Sequence, residues 1–172
     1  MSRGFSAAYA SVSRRCDEPE ITPSVILRTA SNAFVEATGG ASGLLFSTIL
    51  KELGTACKNS EFLDATIFEQ GLSASVVKIM QIGKVQMGDK TLLDSLAPAA
   101  IAASAKVEYS LLDCVTASAA ASERGALTTQ SMSAKKGRGR YVPDGGKGHI
   151  DPGAKTVAYI IKILRQQLET AK

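Results

Sequence analysis

Four glycine-bearing segments hold the residue types that could do chemistry on an anion: GGASG at 39–43, GKVQMGDKT at 83–91, KKGRGR at 135–140 and GHIDPGA at 148–154. Three of them immediately precede a helical pattern. There, unpaired N–H groups and the helix dipole favour negative charge by about 0.3–1 kcal/mol per exposed group. Glycine leaves no Cβ between backbone and ligand and permits positive φ. Ser42 offers a hydroxyl, and Arg138 offers a planar fork that matches a phosphate. Phosphate is the anion these features suit best.

Taken singly, each segment has a structural reading that is the commoner one. GGASG is a tight corner between helices, and it lacks the GK[ST] ending of a Walker loop. The DPGA run is a well-capped helix start, and the basic run is a solvated loop. His149, the single histidine, reads as a loop hydrogen-bonding residue. Asp89 and Asp94 read as members of surface pairs worth about 0–1 kcal/mol.

The elements that must position these loops are helical almost throughout. GFSAAYASVSRR reads as a short first helix. Thr22 caps and Pro23 opens a second, which ends at Gly39. A third runs from Gly43 to about Ala56, with Leu45, Ile49 and Leu53 on one stripe. Asp64 or Thr66 opens a fourth, Thr66 and Glu69 forming a capping box, and it stops near Gly83. A fifth starts at Thr91 and Asp94 and should kink or break at Pro98. A sixth, from Ser110 into the Lys135 region, spans about seven turns. Asp151 and Pro152 open the last, whose stripe is Val157, Ile160, Ile161 and Leu164. No internal repeat of 20–50 residues is found. The pattern predicts six or seven antiparallel helices in an all-α barrel or bundle.

At 172 residues, 45% of them hydrophobic, the chain fits one domain burying roughly 70% of its unfolded surface. The 20 Lys and Arg against 16 Asp and Glu leave a net charge of +4, too mild to imply nucleic acid by itself. The basic run also lacks interleaved aromatic residues for stacking on bases. Cys16, Cys57 and Cys114 have no metal-ligand spacing and read as reduced thiols of a cytoplasmic protein. No apolar run reaches the ~18 residues of a membrane span.

In combination the segments are more specific. GGASGLLFSTIL, GDKTLLDSLAPA and AKKGRGRYVPDGGKGHIDPGAKTVAYII, in this order and at these intervals, closely resemble the nucleotide-binding L subunits of dihydroxyacetone kinase, the DhaL family. The resemblance extends from Ser2 to the last helix. It implies an antiparallel helical barrel with glycine-rich nucleotide-binding loops at one end, holding ADP or ATP with Mg²⁺. It implies partners as well: a K subunit that binds dihydroxyacetone and, in the phosphotransferase-system version, a phosphoryl-carrier M subunit.

Position by position, the resemblance places nucleotide contacts at Gly40, Ala41, Ser42, Gly43, Gly83, Leu92, Arg138, Asp151, Pro152 and Gly153. It also marks a departure. In the family, the first barrel helix and the aspartate-rich magnesium loop lie before the segment that MSRGF resembles. The expectation is therefore a single DhaL-like domain over 1–172, N-terminally shortened, without metal ligands of its own and doubtful in turnover. Two functional classes stay open, a kinase subunit and a non-catalytic scaffold or regulator-binding protein. The expected loss of one helix also predicts an exposed C-terminal stripe, with self-association across the gap or a clear loss of stability.

Overall fold

The computed structural model describes residues 2–19 and 21–171. They form seven α-helices: α1 (Ser2–Ser13), α2 (Pro23–Ala37), α3 (Gly40–Ala56), α4 (Ala65–Gly83), α5 (Leu93–Ser104), α6 (Leu111–Thr128) and α7 (Pro152–Thr170). No strand occurs among the described residues, and no helix there is long and apolar enough to cross a membrane. Each helix packs against the next in chain order, and α4 and α5 also touch α6 and α7 respectively. In such an up-and-down arrangement alternate connections fall at the same end. The α2–α3 corner, the α4–α5 loop and the long α6–α7 segment therefore share one end, which gathers all the glycine-bearing loops.

Local signals account for most helix starts. Thr22 Oγ1 accepts from the Val25 N–H at 3.3 Å, Asp64 Oδ1 from Ile67 at 2.8 Å, Ser110 Oγ from Asp113 at 3.1 Å and Asp151 Oδ2 from Ala154 at 2.8 Å. Each such cap typically contributes about 1 kcal/mol. Asp64, rather than the Thr66/Glu69 box, starts α4. Glu69 instead accepts hydroxyl hydrogen bonds from Ser73 and, across to α5, from Ser104, both at 2.7 Å. At the start of α3, Gly39 supplies no side-chain cap.

Small residues let the helices approach closely, and serine hydroxyls bond to carbonyls on the facing helix. Ser24 and Ser31 of α2 donate to the carbonyls of Gly54 and Ser47 at 2.7 and 2.8 Å. Ser95 of α5 reaches the Ser122 carbonyl, and Ser118 of α6 the Ala99 carbonyl, both at 3.0 Å. The buried core adds Phe34, Phe68, Ile79, Leu93, Leu96 and Val115. The α1 helix is held by edge-on contact of Phe5 with Phe34, ring centroids 5.0 Å apart.

Three expectations are corrected. The sixth helix is 18 residues long, because Thr129–Ser131 tightens into a 3₁₀ turn and the chain then leaves the bundle. The C-terminal stripe is not bare: Val157 and Ile161 are buried, while Tyr159, Ile160 and Ile163 face outward. The helices α5 and α6 pack on α7 and cover Val157 and Ile161, leaving Ile160 of the stripe exposed.

Finally, α5 runs through Pro98 without a break. Proline has no N–H to give the Asp94 carbonyl four residues back. That carbonyl is instead covered by α6 at Gly125, where a Cβ would lie only 2.2 Å from the Asp94 oxygen. The proline that should end the helix is thus matched by a glycine on its neighbour.

The substitution Gly125→Ala should accordingly destabilise the fold at the upper end of the roughly 1–3 kcal/mol seen for overpacking, since neither backbone can yield alone. Gly39→Ala, where a Cβ meets nothing within 4 Å, should cost far less, about 1 kcal/mol or under, for replacing glycine by alanine at a helix N-cap. Urea denaturation of the two variants checks the contrast.

Candidate functional site

The α2–α3 corner divides its labour among its glycines. Gly43 is buried, and a Cβ there would sit 1.6 Å from the Thr38 carbonyl oxygen, so only glycine permits the turn. Gly40 holds φ at +73°, a region other residues rarely occupy. Around Gly39 and Gly40 there is open space. The first-turn N–H groups of α3 thus emerge with no side-chain cap, beside half-buried Ser42 and exposed Ala41.

The α4–α5 loop is organised around three buried ionisable side chains: Asp89 and Asp94, each 3% exposed, and Lys90, 5% exposed. The expected surface pairs do not exist, because these groups engage backbone. Asp94 Oδ1 accepts from the Gly88 N–H at 2.5 Å and Oδ2 from the Thr91 N–H at 2.7 Å. The Thr91 hydroxyl in turn accepts from the Leu93 N–H at 3.2 Å, so the predicted Thr91/Asp94 signature does start α5. Asp89 Oδ2 accepts from the Gln86 N–H at 3.0 Å.

Lys90 stands at φ +59° and turns its ammonium inward. It donates to the Thr129 carbonyl at 2.6 Å and to the His149 carbonyl at 2.5 Å. His149 therefore contributes through its backbone, while its ring side is exposed.

These bonds tie the α4–α5 loop to the α6–α7 segment. Lys135 N–H donates to the Asp89 carbonyl at 3.1 Å, and Gly148 N–H to the Gln130 carbonyl at 2.8 Å. Asp151 N–H donates to the Thr129 hydroxyl at 2.8 Å. Within the segment, Arg138–Tyr141 and Pro143–Gly146 form short 3₁₀ turns.

The outcome is a cavity of about 290 Å³. Leu45, Ile79, Val85 and Leu92 supply apolar lining, Ala41, Gly83 and Thr91 bring the helix ends, and Lys136, Gly137 and Arg140 form the basic side. Of the residues expected from sequence, Ala41, Gly83 and Leu92 line it. Gly40, Ser42 and Gly43 belong to the same first turn as Ala41. Gly153 adjoins it from α7, where a Cβ would lie 3.1 Å from that of Leu92. Asp151 caps that helix, and Pro152 is exposed at its first position.

Arg138 is exposed and outside the lining. Arg140, two residues on, is in the lining, and its guanidinium lies 4.6 Å from the Tyr141 ring centroid. The RGR spacing puts both arginines on the same short turn, and sequence alone offers no signal for choosing between them. Lys90 was also missed, since GDK reads as an exposed turn. The buried thiols Cys57 and Cys114 are pushed up by desolvation, which disfavours the reactive thiolate.

A match to the DAK2 domain family model covers residues 1–166. The chain belongs to the DAK2 domain family. Relatives of this DAK2 domain include the PEP-dependent dihydroxyacetone kinase, ADP-binding subunit DhaL, of Escherichia coli. The two are 30% identical over 95% of this chain and 78% of that protein. L-erythrulose kinase of Pectobacterium atrosepticum is 30% identical over 94% of this chain, which spans only 28% of that protein's length. The human triokinase/FMN cyclase is 29% identical over 88% of this chain and 26% of its own length. The fold is that of the corresponding part of the dihydroxyacetone kinase of C. freundii: TM-score 0.68, 23% identity, 95% of this chain and 28% of that one.

Burial is the largest influence on Asp151 and pushes its carboxyl above the ordinary value. Hydrogen bonds from the Ala154 and Gly153 N–H groups and the charge of Lys90 oppose the shift. A carboxyl raised in the folded state contributes stability that is fully present below its unfolded value, about 3.9, and is lost as pH rises through the folded value. Asp151→Asn keeps an oxygen for the cap but cannot ionise. Its stability should therefore fall less than that of the parent protein from about pH 4 upward, as read from urea midpoints across that range.

Proposed function

We propose that this DAK2 domain carries an adenine nucleotide for a dihydroxyacetone-type kinase. The phosphoryl group passes between the bound nucleotide and a hydroxyl of dihydroxyacetone, or a related short ketose, held by a K subunit. The observation that carries the reading is the meeting of the side-chain-uncapped N-terminus of α3 with a cavity that is apolar on one side and basic on the other. An apolar wall suits a purine ring. Open N–H groups and nearby cations suit its phosphates.

In this reading Gly40, Ala41, Ser42 and Gly43 hold phosphate, Gly83 and Leu92 flank the base, and Asp151-Pro152-Gly153 closes the far side behind Leu92. Lys136 and Arg140 are the wall cations, with Arg138 at the lip. The E. coli relative is an ADP-binding subunit, which supports the nucleotide. The erythrulose kinases and triokinases among the relatives keep the ketose class wider than dihydroxyacetone. An ATP donor would replace the spent ADP by exchange, whereas a phosphotransferase carrier such as an M subunit would rephosphorylate ADP that stays bound.

The carboxylates at this end do not fit a magnesium set. Both Asp94 oxygens accept from backbone N–H groups, and Asp89 is buried and turned toward Gln86. No group of three or more His, Cys, Asp or Glu side chains converges among the described residues. The commitment of these carboxylates favours a second reading, a nucleotide-holding module that does not itself support metal-dependent turnover.

Calorimetry with ADP, with and without Mg²⁺, tests the proposal. Binding that changes little with the metal is expected, and no binding at millimolar ADP overturns it. Arg140→Ala should weaken binding by the roughly 1.5–3 kcal/mol of a hydrogen bond to a charged group, and Arg138→Ala by less. An oligonucleotide that binds tightly, and loses that affinity in Arg138→Ala while ADP is unaffected, would favour nucleic acid instead.

A further inference from the structure

The loops at the cavity end come from sequence positions far apart, and nothing in helix packing alone fixes their mutual spacing. Lys90 links them. Its buried ammonium group bonds to carbonyls 39 and 59 residues further along the chain. Its immediate successors, Thr91 and Leu92, line the cavity, and Leu92 adjoins Gly153. The first carbonyl, of Thr129, ends α6. The hydroxyl of the same threonine takes the N–H of Asp151, which caps α7. The second, of His149, lies two residues before that cap. Just before Lys90, the Asp89 carbonyl holds the Lys135 N–H at the base of the basic turn that supplies Lys136 and Arg140.

From this geometry we propose that Lys90 is a positioning residue. Its buried ammonium fixes the apolar wall of the cavity against its basic wall and the α7 cap, and so sets the affinity for the nucleoside diphosphate without touching it. The inference rests on the nucleotide reading for its ligand, but the clamp itself has a readout that needs no nucleotide. The ammonium suits this use because a carbonyl oxygen accepts a charge-assisted bond without supplying a counter-charge. Neither Asp89 nor Asp94 forms an ion pair with it, since their oxygens serve backbone N–H groups.

The test compares Lys90→Met, which keeps the length of the side chain and removes its donors, with Ser118→Ala, which removes a buried α5–α6 hydrogen bond away from the cavity. In the full chain without nucleotide, amide hydrogen exchange at Lys135, Gly148 and Asp151 should quicken about tenfold or more in Lys90→Met, while exchange in α2 and α3 is unchanged. ADP affinity, read by calorimetry, should fall by a similar factor. Ser118→Ala should lower the melting temperature yet leave both readouts at the cavity unchanged.

Unchanged exchange at the three amides in Lys90→Met overturns the clamp. Quickened exchange with unaltered ADP affinity overturns its role in binding. A parent protein that binds no ADP overturns the nucleotide reading, and the exchange result then still decides the clamp. Should Lys90→Met not fold, Lys90→Gln retains one donor group and is expected to show the same local loosening to a smaller degree. If neither variant folds, Lys90 supports the whole bundle and the local proposal fails.

Discussion

The end of the bundle that carries the cavity depends on how three buried charges are satisfied. Taking an ammonium and two carboxylates out of water costs several kcal/mol per ion unless each finds dipoles to replace the lost solvent. The obvious solution, pairing them with each other, is not the one used. Asp89 and Asp94 are solvated by the N–H groups of their own loop, and Lys90 by two distant carbonyls. Each charge therefore dictates a backbone path. Removing one would leave the backbone groups it serves unpaired, and this asymmetry makes the loop rigid. The left-handed backbone of Lys90, unfavourable by about 1–2 kcal/mol for a residue with a Cβ, persists because the ammonium is held at the other end of the side chain.

The body of the bundle uses a different economy of contacts. It has few aromatic residues and no tryptophan, so large side chains cannot fill wide gaps between helices. Close approach through glycine, alanine and serine replaces them. At such distances exposed carbonyls on one helix become reachable by serine hydroxyls on the next, as at Ser24, Ser31, Ser95 and Ser118. Pro98 and Gly125 belong to the same scheme. A carbonyl freed by proline is shielded by the glycine of the facing helix, which keeps α5 continuous and delivers Asp94 to the loop it organises.

Features that depend on nearby residues were legible in the sequence. Caps at Thr22, Asp64, Ser110 and Asp151 and the helix stripes act within a few residues, and their physics is written in adjacent letters. The all-helical architecture follows from them. The burial of Asp89, Lys90 and Asp94 was not legible, because their bonding partners are either backbone atoms of any residue type or lie tens of positions away. The continuity of α5 was misread for the same reason: Pro98 is compensated by Gly125, 27 positions along. Within the candidate site, Ala41, Gly83 and Leu92 line one cavity, whereas Arg138 and Arg140 share one short turn and only Arg140 reaches the lining.

The Gly-Gly-Ala-Ser-Gly corner shows why its two readings, a packing turn and an anion site, are not alternatives. Gly43 has to be side-chain-free because the Thr38 carbonyl occupies the space a Cβ would need, and Gly40 has to adopt positive φ to bring the chain round so sharply. A corner this tight leaves Gly39 in the cap position, and glycine has no side-chain oxygen with which to satisfy the first N–H groups of α3. Other helices of this bundle spend a serine, threonine or aspartate on that task. The demand for close packing therefore creates the unsatisfied donors, and the up-and-down topology sets them beside the basic turn and the Lys90 loop. An anion docking there would complete a helix terminus that the packing of the corner leaves open.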